Sequence, residues 1–223
     1  MERILTPSEI RERLKVLASQ AAECTACRLH EGRTQAVFAD GSAEADLMLI
    51  GEGPGNHEDR QGLPFVGRAG QLLDRLLGQV GLERHQVYIA NVVKCRPPNN
   101  RDPRPDEIEA CKHFLVDQLR LIDPKVVMTM GNFATKLLLK TSVGITRTRG
   151  QVYPWWGRVV VPTFHPAAAL RSGPAMEDLI RSDLELAVQT IQEQRVADPQ
   201  PEPLSDIGEA LQEEVAGQLG LFE

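Results

Sequence analysis

The chain has 223 residues, 42 % of them apolar and 25 % charged, and no apolar run approaches the ~18–20 residues that a membrane span requires. That suits one domain with a sizeable core and excludes a collagen, a membrane protein and wholesale disorder. The formal net charge of −6 hides a division: residues 196–223 carry seven acids and no Lys or Arg, so residues 1–195 stand at +1 and hold all 25 basic side chains, 19 of them Arg. Arg presents a planar fork suited to phosphate, but a GC-rich genome raises its count as well, so composition permits DNA binding without demanding it.

Thr6, Pro7 and Glu9 read as an N-cap, a first-turn proline and a capping-box acid, opening a helix that stops near Cys24. This start offers acids and a cap where a secretory signal would offer an apolar stretch, which predicts a cytosolic, reducing location. The run 45–50 is a buried strand feeding the tight loop Gly51–Gly55, and a helix follows over 69–80 with Leu72, Leu73, Leu76 and Leu77 at helical spacing. A second strand covers 87–93, and Pro105-Asp106-Glu107 opens a helix. A third strand runs over 124–130 before a helix at 133–139. The fourth, 159–164, leads into His165-Pro166 and a last helix over about 175–194. Continuously apolar strands alternating with helices predict an α/β fold: a three-layer α/β/α sandwich around a central, mainly parallel four-stranded sheet. Ligands gather at the carboxyl ends of such strands, which here carry Gly51–Gly55, Asn91 and His165. Domain organisation is read as one domain over 1–195 and an acidic, Pro-containing tail over 196–223.

Four cysteines in a reducing compartment are poor disulfide candidates. Cys24-x2-Cys27 closes the first helix, Cys95 follows the second strand, and Cys111 lies on the helix opened by Pro105. Four such thiolates can surround Zn2+ or a [4Fe–4S] cluster, and spacing does not choose between them. Two blander readings stand beside that one. Cys111 shares an apolar stripe with Ile108, Leu115 and Leu119, and the CxxC could be a redox pair, although such pairs normally open a helix.

In the glycine-rich loop, Gly51-x-Gly53-x-Gly55 places its third glycine one position early for a dinucleotide fingerprint, and no Gly-Lys-Ser/Thr supplies a P-loop. What remains is close backbone approach, the carboxylates Glu52, Glu58 and Asp59, and Phe65. That aromatic either walls a pocket for a flat ligand or simply packs in the core.

Together these segments resemble the family 4, iron–sulfur members of the uracil-DNA glycosylase superfamily. The residues that carry the resemblance are Gly51-Glu52-Gly53-Pro54-Gly55 with Glu58-Asp59, Gly62-x-Pro64-Phe65-Val66-Gly67-x-Ala69-Gly70, Asn91-x-x-Lys94-Cys95-Arg96-Pro97-Pro98, His165-Pro166-Ala167 and all four cysteines. The resemblance spans roughly 24–186. It implies a [4Fe–4S] cluster on Cys24, Cys27, Cys95 and Cys111 and hydrolysis of the N-glycosidic bond of deoxyuridine in DNA. The enzyme must then flip the nucleotide into a pocket and read its Watson–Crick edge. Phe65 would stack on the base, and the Asn91 amide would accept from N3–H and donate to O4. Cytosine reverses both polarities, a mismatch worth ~10⁴–10⁵ in discrimination. His165 would donate to O2 as charge grows on the departing base.

For the carboxylate near C1′ the first candidate is Glu52 and the second Glu58, with Gly53 contributing backbone, because the best-known branch has an Asp where this chain has Gly53. That branch also bars the thymine methyl with a Tyr where this chain has Gly55, a role Glu58 could fill. Leu170 is the expected minor-groove wedge, with Ala169 the alternative register, and Arg171 the phosphate contact beside it. Arg96, Arg101 and Arg104 form a basic loop between two cysteines that could lie against phosphates or solvent. The related covalent-trapping branch has a histidine in that loop; here none precedes His113, so turnover is expected. Gln218-Leu219-Gly220-Leu221-Phe222 resembles the bacterial sliding-clamp peptide, anchored by Gln218, Leu219, Leu221 and Phe222. A soluble monomer acting on uracil-containing DNA, single- or double-stranded, is the expectation. Its rivals are an iron–sulfur DNA-binding or electron-carrying module without activity, and a superfamily glycosylase with another base preference, such as hypoxanthine.

Overall fold

The structure, a computed structural model, describes residues 5–197. In chain order the strands are β1 (Asp40–Gly41), β2 (Leu47–Gly51), β3 (Tyr88–Asn91), β4 (Val126–Met130), β5 (Tyr153–Trp155) and β6 (Arg158–Thr163). The helices are α1 (Pro7–Glu23), α2 (Leu29–Gly32), α3 (Asn56–Gln61), α4 (Arg68–Gln79), α5 (Pro105–Ile122), α6 (Asn132–Leu139), α7 (Ile145–Thr148), α8 (Pro166–Ser172) and α9 (Pro174–Ala197). Among these, no helix is long and apolar enough to cross a membrane.

The sheet has six strands in the order β1-β3-β2-β4-β6-β5. The four predicted strands form its parallel centre, and two short antiparallel strands, β1 and β5, close the edges. Neither edge was visible as an apolar run: one is two residues long, the other is Tyr-Pro-Trp. Successive residues on a strand face opposite sides, so β2 divides its side chains between two cores. Met48 and Ile50 pack with residues of α1, α5 and α6, whereas Leu47 and Leu49 pack with residues of α4 and α9. These are the outer layers of the sandwich.

Local chemistry agrees with this layout. Thr6 caps α1 with its hydroxyl on the Glu9 N–H at 3.3 Å, and the Glu9 carboxylate answers on the Thr6 N–H at 2.8 Å. Asp183, buried on α9, takes the Thr163 hydroxyl at 2.6 Å and the Arg149 guanidinium at 2.9 and 2.5 Å. This ties α9 to the end of β6, two residues before His165. Because the four central strands are parallel, their carboxyl ends share one edge, where Gly51 stands in register with Asn91. Gly131, which follows β4, and His165, two residues past the end of β6, lie at the same edge.

Candidate active site

A cleft of about 710 Å³ opens at that edge. Its walls include eight of the residues singled out in the sequence: Glu52, Gly53, Glu58, Phe65, Asn91, Arg101, His165 and Arg171. Phe65, Asn91 and His165, the three side chains expected to meet the base, thus share one hollow. Asn91 is almost wholly buried, and its Oδ1 has no hydrogen-bond partner among the described residues. A buried acceptor left unpaired costs about 1–3 kcal/mol, so the site as built invites a ligand N–H.

Phe65 reaches this place through an unusual backbone. Its φ is +51°, in the left-handed region that an L-residue enters only at a cost. Two groups hold it from opposite sides. Arg84 donates to the carbonyls of Pro64 and Phe65 (3.1 Å to the latter), and its guanidinium is itself gripped by Asp40 at 2.6 Å and Asp74 at 3.0 Å. Glu58 accepts from the Val66 and Gly67 amides at 2.9 and 2.8 Å. Two glycines make room. A Cβ on Gly51 would lie 2.5 Å from Asn91 Oδ1 and 2.7 Å from the Phe65 ring, and one on Gly70 would overlap the Phe65 carbonyl. The Phe65 ring stacks on His165 with centroids 5.5 Å apart.

His165 caps α8, its Nδ1 accepting the Ala167 N–H at 3.1 Å. Burial, with Arg171 nearby, pulls its pKa down to about 4 against a weaker upward pull from Glu58. The ring is therefore neutral around pH 7, and with Nδ1 accepting, the proton sits on Nε2. Glu52 is displaced the other way: burial first, then the charge and hydrogen bond of Asp102, push its pKa up to about 7.

One carboxylate oxygen of Glu58 holds the Phe65 loop, and the other lies 2.7 Å from where a Cβ on Gly55 would be. Asp59 is spent on Thr34, accepting its N–H at 2.9 Å and its hydroxyl at 2.6 Å. Arg101, although on the cleft wall, gives its fork to Glu107 at 2.8 and 2.6 Å, and Arg96 donates to Asn100 at 2.7 Å. Arg104 is exposed at the start of α5. Leu170 projects from α8 with 44 % exposure, whereas Ala169 is fully buried in the α4/α9 core.

The four cysteines, 87 residues apart at the extremes, come together around a second, small hollow with Arg33 and Lys94 on its wall. The Arg33 guanidinium donates to Cys95 Sγ at 3.2 Å, and the Lys94 N–H to Cys111 Sγ at 3.3 Å. Burial raises the pKa of Cys27, Cys95 and Cys111, the last to about 12. As bare thiols they would stay protonated. No three His, Cys, Asp or Glu side chains among the described residues draw together as a site for a single metal ion. Fully buried Lys94 also donates to the Asn91 carbonyl at 2.8 Å and to Gln118 at 2.5 Å, bridging this hollow and the cleft.

Three participants escaped the sequence reading. Arg84 and Asp102 had no motif around them, and Lys94 was seen only as a motif letter. The clamp peptide Gln218–Phe222 lies outside the described residues.

Comparison with known proteins agrees with this geometry. The family model described as the uracil DNA glycosylase superfamily matches residues 38–185. The type-4 uracil-DNA glycosylase of Thermotoga maritima is 44 % identical over 179 residues, covering 79 % of this chain and 93 % of that protein. The type-4 enzymes of Sulfurisphaera tokodaii (43 % over 179 residues, 76 % and 81 %) and Saccharolobus solfataricus (44 % over 172 residues, 73 % and 80 %) are similarly related. With its cleft built from the motifs that first suggested it, the chain belongs to the uracil DNA glycosylase superfamily, among the type-4 members.

Proposed function

We infer that this protein is a uracil-DNA glycosylase, which hydrolyses the N-glycosidic bond of deoxyuridine in DNA, releases uracil and leaves an abasic site for base excision repair. The observation that carries this reading is the unpartnered, buried Asn91 Oδ1, set in one cleft with Phe65 and His165. Uracil N3–H satisfies that oxygen; cytosine offers a lone pair in its place. Thymine and hypoxanthine carry the same N–H and C=O pattern as uracil, so Asn91 does not reject them; against thymine stands Glu58, beside Gly55 where a methyl at C5 would need room.

As the N1–C1′ bond breaks, its electron pair goes to the base, and the neutral His165 donates from Nε2 to O2, stabilising the uracil anion. Water adds to C1′ and passes its proton to Glu52, and the carboxylate's charge favours the positive sugar before that transfer. Leu170 fills the gap left by the flipped nucleotide, and Arg171 and Arg104 meet phosphates. Arg101 serves the loop first, through Glu107.

Cys24, Cys27, Cys95 and Cys111 fit a [4Fe–4S] cluster. Four thiols set round one small hollow are the donor set such a cluster takes, and Arg33 and the Lys94 N–H would offset the charge on the sulfurs. Bound there, the cluster would brace the loop between Cys95 and Cys111 as a structural cofactor. The protein acts as a monomer of one domain, residues 1–195, with an acidic tail whose last residues tether it to a sliding clamp.

The test is direct. Oligonucleotides with a single U, T, C or hypoxanthine are incubated with the protein, and free base is measured by chromatography. Release of uracil alone is expected; no free base, or release of hypoxanthine in preference to uracil, would refute the reading.

A further inference from the structure

We propose that Lys94 is a positioning residue for base recognition: its side chain ties the end of β3 to α5 and so keeps the Asn91 amide turned into the cleft, from the side on which the cysteines gather. The proposal deepens the glycosylase reading above and rests on it.

The strand itself creates the need for such a support. Past Asn91 the chain is fastened to β2, with the Val92 N–H on the Gly51 carbonyl at 2.9 Å and the Val93 N–H on the Glu52 carbonyl at 3.2 Å. In a trans peptide the C=O and the following N–H point opposite ways, so the Asn91 carbonyl faces away from β2. On that side β1 pairs with Tyr88 and Ile89 and then stops. The Lys94 ammonium takes the Asn91 carbonyl instead, at 2.8 Å. Little slack is left at the reader: Asn91 Oδ1 occupies the space where a Cβ on Gly51 would lie only 2.5 Å away. A small swing of the backbone therefore moves the amide off the base.

The far end of Lys94 is anchored on α5. Cys111 and Gln118 stand seven residues, or two turns, apart on that helix and so share a face. Lys94 meets both, its N–H donating to Cys111 Sγ at 3.3 Å and its Nζ to Gln118 Oε1 at 2.5 Å. Gln118 passes the chain of bonds on, donating from Nε2 to the Phe38 carbonyl and the Tyr88 hydroxyl at 3.1 Å each. The Lys94 carbonyl accepts the Val37 N–H at 2.7 Å, and the Phe38 ring centroid lies 5.8 Å from Nζ. Lys94 and Gln118 are both buried. A buried network whose members are paired is rigid, because no water stands ready to replace a lost partner. Lys94 thus divides its work: the backbone N–H faces the cysteine site, and the side chain holds the base reader.

That division makes the test clean. Lys94→Met removes the ammonium but keeps the stem and the N–H on Cys111, so iron and acid-labile sulfide should stay at the wild-type level. Single-turnover uracil release should fall by about 10²-fold, the scale of an ångström misplacement of a positioned group. Affinity for undamaged duplex, which does not use Asn91, should not change. The spectroscopic readout is the Asn91 side-chain amide signal in a nitrogen-15 NMR spectrum, identified by its loss in Asn91→Asp. It should shift in Lys94→Met and in Gln118→Met. Gln118→Met should also slow uracil release, and the double variant should be no slower than Lys94→Met, because the two act through one chain of bonds. A folded, iron-loaded Lys94→Met protein with the wild-type rate, or with an unmoved Asn91 signal, would overturn the proposal, and so would losses that multiply in the double variant. Should Lys94→Met fail to fold or to hold iron, Gln118→Met decides by the same two readouts. A wild type that releases no uracil sinks the glycosylase reading and this inference together, whereas an active wild type whose Asn91 signal is unmoved in both variants sinks this one alone.

Discussion

Replacing Arg84 by Met tests whether the stacking platform is held in place or simply packed there. Met keeps the apolar stem and removes the fork that holds the Pro64 and Phe65 carbonyls. Hydrogen bonds to a charged group are worth about 1.5–3 kcal/mol each, but the Arg84 side chain is 23 % exposed, so water recovers part of that loss for the two carbonyls and for Asp40 and Asp74. A net loss of about 2–4 kcal/mol in folding stability follows. Part of the damage should be local. A left-handed Phe stores about 1–2 kcal/mol, and without Arg84 the loop can relax that strain by swinging the ring out of the cleft. We therefore expect kcat/KM for uracil release to fall on the order of 10²-fold, about 2.7 kcal/mol, in protein still folded at the assay temperature. Urea denaturation gives the first quantity and single-turnover kinetics the second, with Arg84→Lys recovering only part of each because it has no fork. A variant that loses the stability yet keeps its kcat/KM would show Arg84 to be an ordinary ion-pairing residue and refute the clamp.

Other outcomes follow from the same geometry. His165→Ala should lower kcat by about 10²–10³ while leaving in place the acid limb near pH 7 expected from Glu52, because the imidazole is neutral above about 4; a limb that vanished with His165 would reassign it to the imidazole. Cys111→Ser should yield protein depleted in iron and acid-labile sulfide and less resistant to urea, and a colourless, metal-free wild type with full activity would dismiss the cluster. Deleting residues 218–223 should abolish binding to a bacterial sliding clamp in a pull-down while sparing activity on short oligonucleotides; unchanged clamp binding would remove the tether.

What could be read from the sequence follows the range of the forces involved. β2, β3, β4 and β6 announce themselves because strands buried on both faces must be apolar throughout, and Thr6-Pro7-Glu9 marks α1 because capping is decided within one turn. The edges β1 and β5 need little apolar content and so leave no run. Asn91 and His165 were legible as motif letters at the carboxyl end of a strand or just beyond it, and Phe65 as a motif letter in the segment before α4. The support of Phe65 was not, because Arg84 acts on a loop some 20 residues earlier in the chain. Arg101 shows the same limit from the other side. A basic residue in a loop reads as a phosphate contact until the structure reveals Glu107 beneath it.

The most direct measurement is the base preference of Asn91→Asp. An aspartate keeps an acceptor for N3–H but loses the donor to O4, and it buries a charge, so release of uracil should fall by about 10²–10⁴-fold, the cost of an unpaired buried group. A protonated aspartate can present the reversed donor–acceptor pattern, and detectable release of cytosine relative to uracil should rise. If the variant instead releases uracil at the wild-type rate and leaves cytosine untouched, Asn91 does not read the base and the cleft described here is not where the chemistry occurs.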